Sequence, residues 1–371
     1  MFSLHVDTGR DWRGGQIQVM HTVLGLRATG ERAALVAHPN GELVRRMSEG
    51  LDLIPLAPTH EVDLGAAWRL SRVIKQLRPE LVHAHDPHAV AMAATALSIA
   101  SPDPRIPFVA ARRLELKMAR NSFSRWKYGQ VDCFIASSAA IRDRLVHEGI
   151  PRRKIHIVNE GVDVERIHRT APANVHAEFY LPTHAPVVGN VAALVPHKGH
   201  QHLIDAAALV VKTVPDARFV IVGGGGLREA LEHQIRHLHL ERHVFLAGYR
   251  HDAMELTRGF DVFAMSSITE GMCTPLVDAM AAGKAAVATA VGGIPEVLLD
   301  DVTGYLVPPR DPAALAGRLV QLLKDPALRQ RMGLAAFERA RACFTVEKMV
   351  DATAAVYKSL AAGTASRAAG D

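Results

Sequence analysis

Residues 261–294 read DVFAMSSITEGMCTPLVDAMAAGKAAVATAVGGI. The run at 262–265 is short, apolar and bounded by polar residues, as a strand buried on both faces is. After a polar turn, Thr274 and Pro275 occupy the places of an N-cap and a first helical residue. The pattern predicts a helix over 275–282, ended by Gly283. A second buried strand is expected at 285–288. Strand, helix and strand at this spacing make a βαβ unit with parallel strands. The turn leaves the backbone amides of Gly271, Met272, Cys273, Thr274, Pro275 (which has none to offer) and Leu276 beside a helix N-terminus. Directed N–H groups and the positive end of the macrodipole suit a phosphate there.

The same rhythm extends in both directions. Strands are expected at 2–6, 33–37, 51–56, 81–84, 108–111, 134–137 and 155–158, with helical patterns such as 16–29, 63–77, 88–100 and 139–147 between them. The rhythm breaks at 164–186, a proline-spotted stretch read as a linker. It resumes with strands at 187–191, 219–222, 244–246, 262–265, 285–288 and 305–307. The expectation is therefore α/β, with two Rossmann-like parallel-sheet domains facing across a cleft: 1–170 and 171–344. A helix at 345–361 and a flexible tail at 362–371 complete the reading. In such sheets ligands sit at the carboxyl ends of the strands.

Composition bounds the alternatives. The chain has 371 residues, 49% hydrophobic and 22% charged, which is ordinary globular usage. No apolar run approaches the roughly 18 residues of a spanning helix. Cys133, Cys273 and Cys343 lie far apart without a CxxC pair, which argues against a disulfide framework or structural zinc. The N-terminal residues lack the pattern of a signal peptide, so a cytoplasmic protein is expected. A net charge of +5 permits an anionic partner without requiring one.

Several residues stand where chemistry would be done. Glu270 precedes the amide-rich turn and Asp278 follows eight positions later, so one carboxylate could face a sugar and the other a ribose. Asp278 would equally complement the macrodipole. Lys198 lies between a strand and a helix, where a lysine reaches phosphate as a point charge or simply meets solvent. Gly223 opens a four-glycine run that lacks the GxGxxG spacing. Gly14 and Gly15 open a helix after the first strand. In LVHAHD, His85 falls at a strand end and faces the cleft, whereas His83 is deeper and reads as a satisfied core residue. No ligand set of metal spacing accompanies them, so no metal is expected. The segment 112–128, RRLELKMARNSFSRWKY, carries Arg112, Arg113, Lys117, Arg120, Trp126 and Lys127. Basic and aromatic residues so mixed suit an anionic membrane surface or a phosphorylated acceptor, or form an ordinary solvated helix face.

Taken in order, eight stretches resemble the retaining glycosyltransferases of family 4, which have the GT-B fold. They are RGGQIQVMHTVLGLRATGERAALVA, ELVHAHDPH, DCFIASSAAIRDRLVHEGIPRRKIHIVNEGVD, VPHKGHQHLIDAAALV, RFVIVGGGGLREALE, HVFLAGYRHD, TEGMCTPLVDAMAAGKAAVATAVGGIPEVL and TGYLVPPRDPAALA. The resemblance implies a C-terminal helix that crosses back to the first domain. It implies transfer from a UDP-, GDP- or ADP-sugar to a glycan or lipid-linked acceptor, as in cell-envelope polysaccharide or lipopolysaccharide synthesis, without a metal cofactor. Glu270 matches the glutamate that touches the donor sugar, and Asp278 stands, one methylene shorter, for the glutamate that holds the ribose. Residues 271–276 match the diphosphate loop, Lys198 the phosphate lysine and His85 the histidine near the reacting sugar. Gly14 and Gly15 match the glycine loop, and Arg250 falls in the region beside the base. The family's arginine five residues before the lysine is here Ala193, with Arg250 and Lys284 as positional substitutes. A peripheral place on the anionic inner leaflet follows from the basic segment. Rival readings are a degenerate binder without turnover, a nucleotide-sugar epimerase and, with no nucleic-acid motif to support it, a nucleic-acid binder.

Overall fold

The computed structural model describes residues 1–47, 52–113 and 121–368. The chain divides into two compact units, one of Met1–Gly161 with the segment that starts at Val346, the other Val162–Thr345. The division falls at 161/162, not at 170/171.

The first unit is built on β1 (Phe2–Asp7), β2 (Arg32–Ala37), β3 (Asp52–Pro55), β4 (Leu81–Ala84), β5 (Phe108–Arg112), β6 (Cys133–Ala136) and β7 (Ile155–Ile157). They form one seven-stranded sheet in the order β3-β2-β1-β4-β5-β6-β7, with every pairing parallel. The order reverses between β1 and β4, which opens a crevice at their carboxyl ends. β1 and β4 are buried along their whole length, so the polar residues that alternate along β1 (Ser3, His5 and Asp7) are buried as well.

The second unit repeats the plan with β8 (Val187–Val191), β9 (Arg218–Val222), β10 (Val244–Gly248), β11 (Val262–Met265), β12 (Ala286–Thr289) and β13 (Gly304–Val307). Its six strands run in the order β10-β9-β8-β11-β12-β13, again all parallel. The switch point lies between β8 and β11.

Two expectations are corrected. The stretch 164–186 is not a bare linker: it holds helices Val164–Arg169 and Val175–Glu178, capped by Asp163 and Asn174. Their buried Val164, Ile167 and Val175 belong to the second unit's cores, and that burial offsets the weak periodicity. The final helix runs Val346–Ala368, past the point where a tail was expected, through residues rich in the best helix former, alanine.

That final helix completes the first unit's core. Met349, Val350, Val356 and Tyr357 pack with Leu26, Val109 and Cys133. It lies close against helix Gly14–Ala28. A Cβ on Gly25 would stand 2.3 Å from Val350 Cγ2, so a side chain there would push the two helices apart. Among the described residues no helix is long and apolar enough to cross a membrane.

Candidate active site

The second unit brings Lys198 and Glu270 together at its switch point. Lys198 ends a short 3₁₀ turn, Pro196–Lys198, after β8; Glu270 stands in the loop after β11. Lys198 Nζ lies 2.5 Å from Glu270 Oε1. The same oxygen accepts from Ser267 Oγ at 2.7 Å. Glu270 is only 4% exposed, so it is a buried acid that needs those partners, not a solvated loop carboxylate.

Backbone contacts fix the two loops to each other. Ile268 N donates to His197 O at 2.8 Å, and Ser266 Oγ donates to Lys198 O at 3.2 Å. Gly199 has φ +63°, and a Cβ there would meet Ser266 O at 2.3 Å. Gly292 has φ +53°, and a Cβ would meet Glu270 O at 1.9 Å, while Gly293 N donates to Gly271 O at 2.6 Å. Both glycines therefore allow a close approach that shapes the Glu270 loop.

The helix beyond runs Thr274–Ala281, one residue earlier than expected. Its N-cap is Cys273, in the left-handed region at φ 69°, not Thr274, and no side chain caps it. Leu276 N donates to Cys273 O at 3.0 Å in the first turn. Gly271, Met272 and Cys273 are buried, as is Leu276. Thr274, Pro275 and Asp278 are half-buried on an otherwise buried helix, and Thr274 and Asp278 share one face.

Gly223 has φ +153°, and a Cβ would meet Ala192 O at 1.9 Å, so the glycine run packs directly on the turn after β8. Arg250 is held by Asp252 through two bonds of 2.7 and 2.6 Å and also pairs with Glu178. Both carboxylates hold it charged by pushing its pKa up. Lys284 precedes β12, at the amino ends of the strands, so it cannot stand in for the cation absent at Ala193, which follows β8 at the carboxyl ends.

In the first unit, His85 does not project freely from its strand. It is 7% exposed, and Arg113 Nη2 lies 3.2 Å from its Nδ1. Its Nε2 is 2.9 Å from His5 Nδ1, and His5 Nε2 is 3.0 Å from Ser3 Oγ. A guanidinium only donates, so His85 Nδ1 accepts and Nε2 carries the proton. The direction of the chain follows: Arg113 to His85 to His5 to Ser3. Burial, chiefly, and then neighbouring histidines and Arg113 hold His85 well below the usual histidine pKa; burial and Arg113 bring His5 down to about 3. All of these rings are neutral at pH 7.

His83 Nδ1 meets Tyr357 Oη of the final helix at 2.5 Å, but its Nε2 has no partner among the described residues, so it is only half the satisfied core residue expected. Nitrogens of His5, His83 and His85 lie within 4.8 Å of one another. That clustering suits a metal in spacing alone. The proton that Arg113 forces onto His85 Nε2 occupies the lone pair a metal would need.

Two further acids line the same strand ends. Asp86 accepts from Thr8 N at 2.6 Å and Thr8 Oγ1 at 2.8 Å, and caps helix Pro87–Ala100. Asp7 accepts from Gly9 N at 2.9 Å; burial, then Asp86, pushes its pKa up to about 6. Gly14 and Gly15 begin helix Gly14–Ala28, and a Cβ on Gly15 would meet nothing within 4 Å. Packing therefore does not demand that glycine.

The basic segment is corrected in part. Lys127 is 2% exposed and bonded to Glu61 at 2.5 Å, and Arg113 pairs with Glu160 at 3.4 Å as well as with His85, so neither offers a surface charge. Arg112 bonds to Tyr128. Trp126 is half-exposed and stacks on Phe123. Lys117 and Arg120 lie outside the described residues. The sequence reading missed Ser267, Gly292, His5, Glu160 and Asp7. Only His5 left a signal: SLHVD and LVHAHD are both strands that end in a polar cluster, and in the sheet His5 pairs with His83.

Residues 174–339 match the family described as glycosyl transferases group 1, and residues 12–166 match glycosyltransferase family 4. The chain is 27% identical over 304 residues to N-acetyl-alpha-D-glucosaminyl L-malate synthase of Bacillus anthracis, covering 80% of this chain and 78% of that one. It is 32% identical over 215 residues to D-inositol 3-phosphate glycosyltransferase of Corynebacterium glutamicum (strain R), covering 54% of this chain and 51% of that one. In structure it is similar to Anabaena HepE in complex with UDP and glucose, with a TM-score of 0.84 at 22% identity over 97% of this chain and 100% of that one. With both halves of the chain matched in order and the two-sheet GT-B architecture in place, the protein belongs to glycosyltransferase family 4 and is a glycosyltransferase.

Proposed function

We propose that the protein moves a sugar, with retention at its anomeric carbon, from a nucleotide-sugar to a glycan or lipid-linked acceptor in cell-envelope synthesis. The observation that carries this reading is the pair of half-buried Lys198 and buried Glu270 beside the N-terminus of helix Thr274–Ala281. The lysine and the helix amides meet the charge that grows on the leaving diphosphate, which is where fixed dipoles lower a barrier most. Glu270 holds Lys198 in place and offers its second oxygen to the sugar hydroxyls. Asp278 and Thr274 take the ribose side. In the first unit, the resemblance to the family assigns His85 to the acceptor side.

The reaction balances without a protein base. The bond from the anomeric carbon to the diphosphate oxygen breaks, the acceptor oxygen bonds the same carbon on the same face, and its proton passes to a diphosphate oxygen. No metal enters this scheme. UDP-glucose is the first donor to try, because HepE is described with UDP and glucose.

Thermal shift against UDP, GDP, ADP and their glucose or mannose conjugates tests the donor. A ligand at about a hundredfold excess over its Kd stabilises by about 2.7 kcal/mol. One nucleotide should shift the wild type and fail to shift Lys198→Ala. No shift from any nucleotide, with the chain folded by circular dichroism, would overturn the donor assignment.

A further inference from the structure

Behind the second unit's sheet is a cavity of about 230 Å³ lined by Asp261, Lys284, Arg329 and Gln330 among others. It opens at the amino ends of β11 and β12, the edge opposite Lys198 and Glu270. Across strands of about 3.3 Å per residue, the two places are more than a four-residue strand apart. Neither the sugar transfer nor the core accounts for its charges.

Those charges do not balance. Lys284 and Arg329 line this pocket with one carboxylate, Asp261, and Arg258 acts on Lys284 from nearby. Arg329 lies 3.4 Å from Asp261 Oδ1 and donates to Leu322 O, while Arg258 donates to Thr170 O and Ala282 O. Asp261 Oδ2 is taken by Val187 N at 2.8 Å. Lys284, by contrast, has no side-chain hydrogen bond or ion pair to any described residue. It is half-buried, and burial is the first cause, with Arg258 the second, of a pKa brought down to about 8. Among the charged side chains that line the cavity, two cations and one anion leave a local charge of +1. Pro326, the first residue of helix Pro326–Cys343, also lines the cavity, and the Asp325 carboxylate caps that helix.

We propose that this pocket binds a phosphate dianion, either orthophosphate or the head of a small phosphate monoester, on Lys284 and Arg329. The local excess is positive, a guanidinium and an ammonium both line the space, and the volume admits a phosphate with a small organic group. The site is separate from donor binding and does not depend on the transfer reaction proposed above.

Acylation of Lys284 at pH 8, read by peptide mass spectrometry on the full chain, tests it. Only the neutral amine reacts. An anion in contact raises an ammonium's pKa by a unit or more, so saturating phosphate should slow labelling by about fivefold or more. Orthophosphate and glycerol 3-phosphate are run as separate arms against chloride at equal ionic strength. Protection by both assigns a general phosphate site, and protection by the ester alone assigns the monoester. In either case it should vanish in Arg329→Gln and persist in Lys198→Ala, whose donor site is disabled. Unchanged labelling with both phosphates, slowing matched by chloride, or protection that survives in Arg329→Gln would overturn the proposal. As a second readout, free of that helix substitution, phosphate should raise the Tm of Lys198→Ala but not of Lys198→Ala combined with Lys284→Met; equal shifts would overturn it too.

Discussion

At the residue scale, chemistry here depends on buried charge. Glu270 accepts from Lys198 and Ser267, so its orientation is set before any ligand arrives. Removing either member of the pair takes away an interaction aimed at the developing diphosphate charge. Lys198→Ala and Glu270→Gln are each expected to lower kcat by about 10²–10³-fold, the usual cost of losing one such stabilising group. Initial rates of nucleotide release with a working donor check this; a change of less than about twofold would remove the pair from the mechanism. Asp7 is a different case. Its folded pKa of about 6 exceeds the ordinary 3.8, so the folded state binds the extra proton. Its effect favours folding at low pH and is lost as pH rises through about 6. Asp7→Asn should therefore stabilise the protein at pH 8 by up to about 3 kcal/mol, and hardly at all at pH 4. Urea unfolding at both pH values decides it, and equal shifts would contradict the buried-acid reading.

At the element scale, the turn after β11 works because glycines elsewhere make room for it. Gly292 supplies the space against which the Glu270 backbone rests, and its own φ of +53° disfavours a side chain. Gly292→Ala adds a Cβ that cannot be accommodated without moving the Glu270 carbonyl. The expected outcome is a donor affinity at least about tenfold weaker, because a small misplacement of positioning groups is costly. Titration calorimetry with the nucleotide identified by thermal shift measures it; unaltered affinity would show that the loop tolerates the shift. Helix Thr274–Ala281 shows the limit of reading caps from residue types. Thr274 is a favourable N-cap residue, yet the chain enters the helix through Cys273 in a left-handed conformation. Local preference of about 1 kcal/mol was overridden by the packing of Met272, Cys273 and Leu276 in one core.

At the scale of the whole molecule, the first unit is stapled through histidines that must stay neutral. His5, His83 and His85 are buried side by side, and His83 ties β4 to the final helix through Tyr357. Their folded pKa values lie below the ordinary 6.5, first because of burial. The unfolded state therefore binds more protons between those limits. Stability is complete above about pH 6.5 and falls as pH drops through the folded values. The three cluster histidines and His200, whose pKa burial brings down to about 4, all add to that slope, and the proton Asp7 holds in the folded state subtracts from it. Each net proton corresponds to a loss of about 1.4 kcal/mol per pH unit. Urea midpoints from pH 7 to pH 5 test the slope, and a flat profile would show that the cluster already carries protons when folded.

Much of this was legible in the residues. The strand–helix rhythm, the amide-rich turn at 271–276 and the strand-end positions of Lys198, Glu270 and His85 follow from periodicity and from the turn chemistry of glycine and proline, which act over a few neighbours. Two parallel sheets, and the placing of polar residues at their carboxyl ends, were therefore determined by the sequence alone. Partnership was not. Arg113 and Lys127 read as surface cations, and became buried donors only because Glu160 and Glu61, from distant parts of the chain, came to meet them. The weakly periodic stretch 164–186 became helix for the same reason, when the second unit's core buried Val164, Ile167 and Val175. Which charges neutralise one another, which histidine nitrogen carries a proton and which lysine is left unpaired are set by groups far apart in sequence. Burial raises the energy of each such choice, and only the folded chain says what is buried.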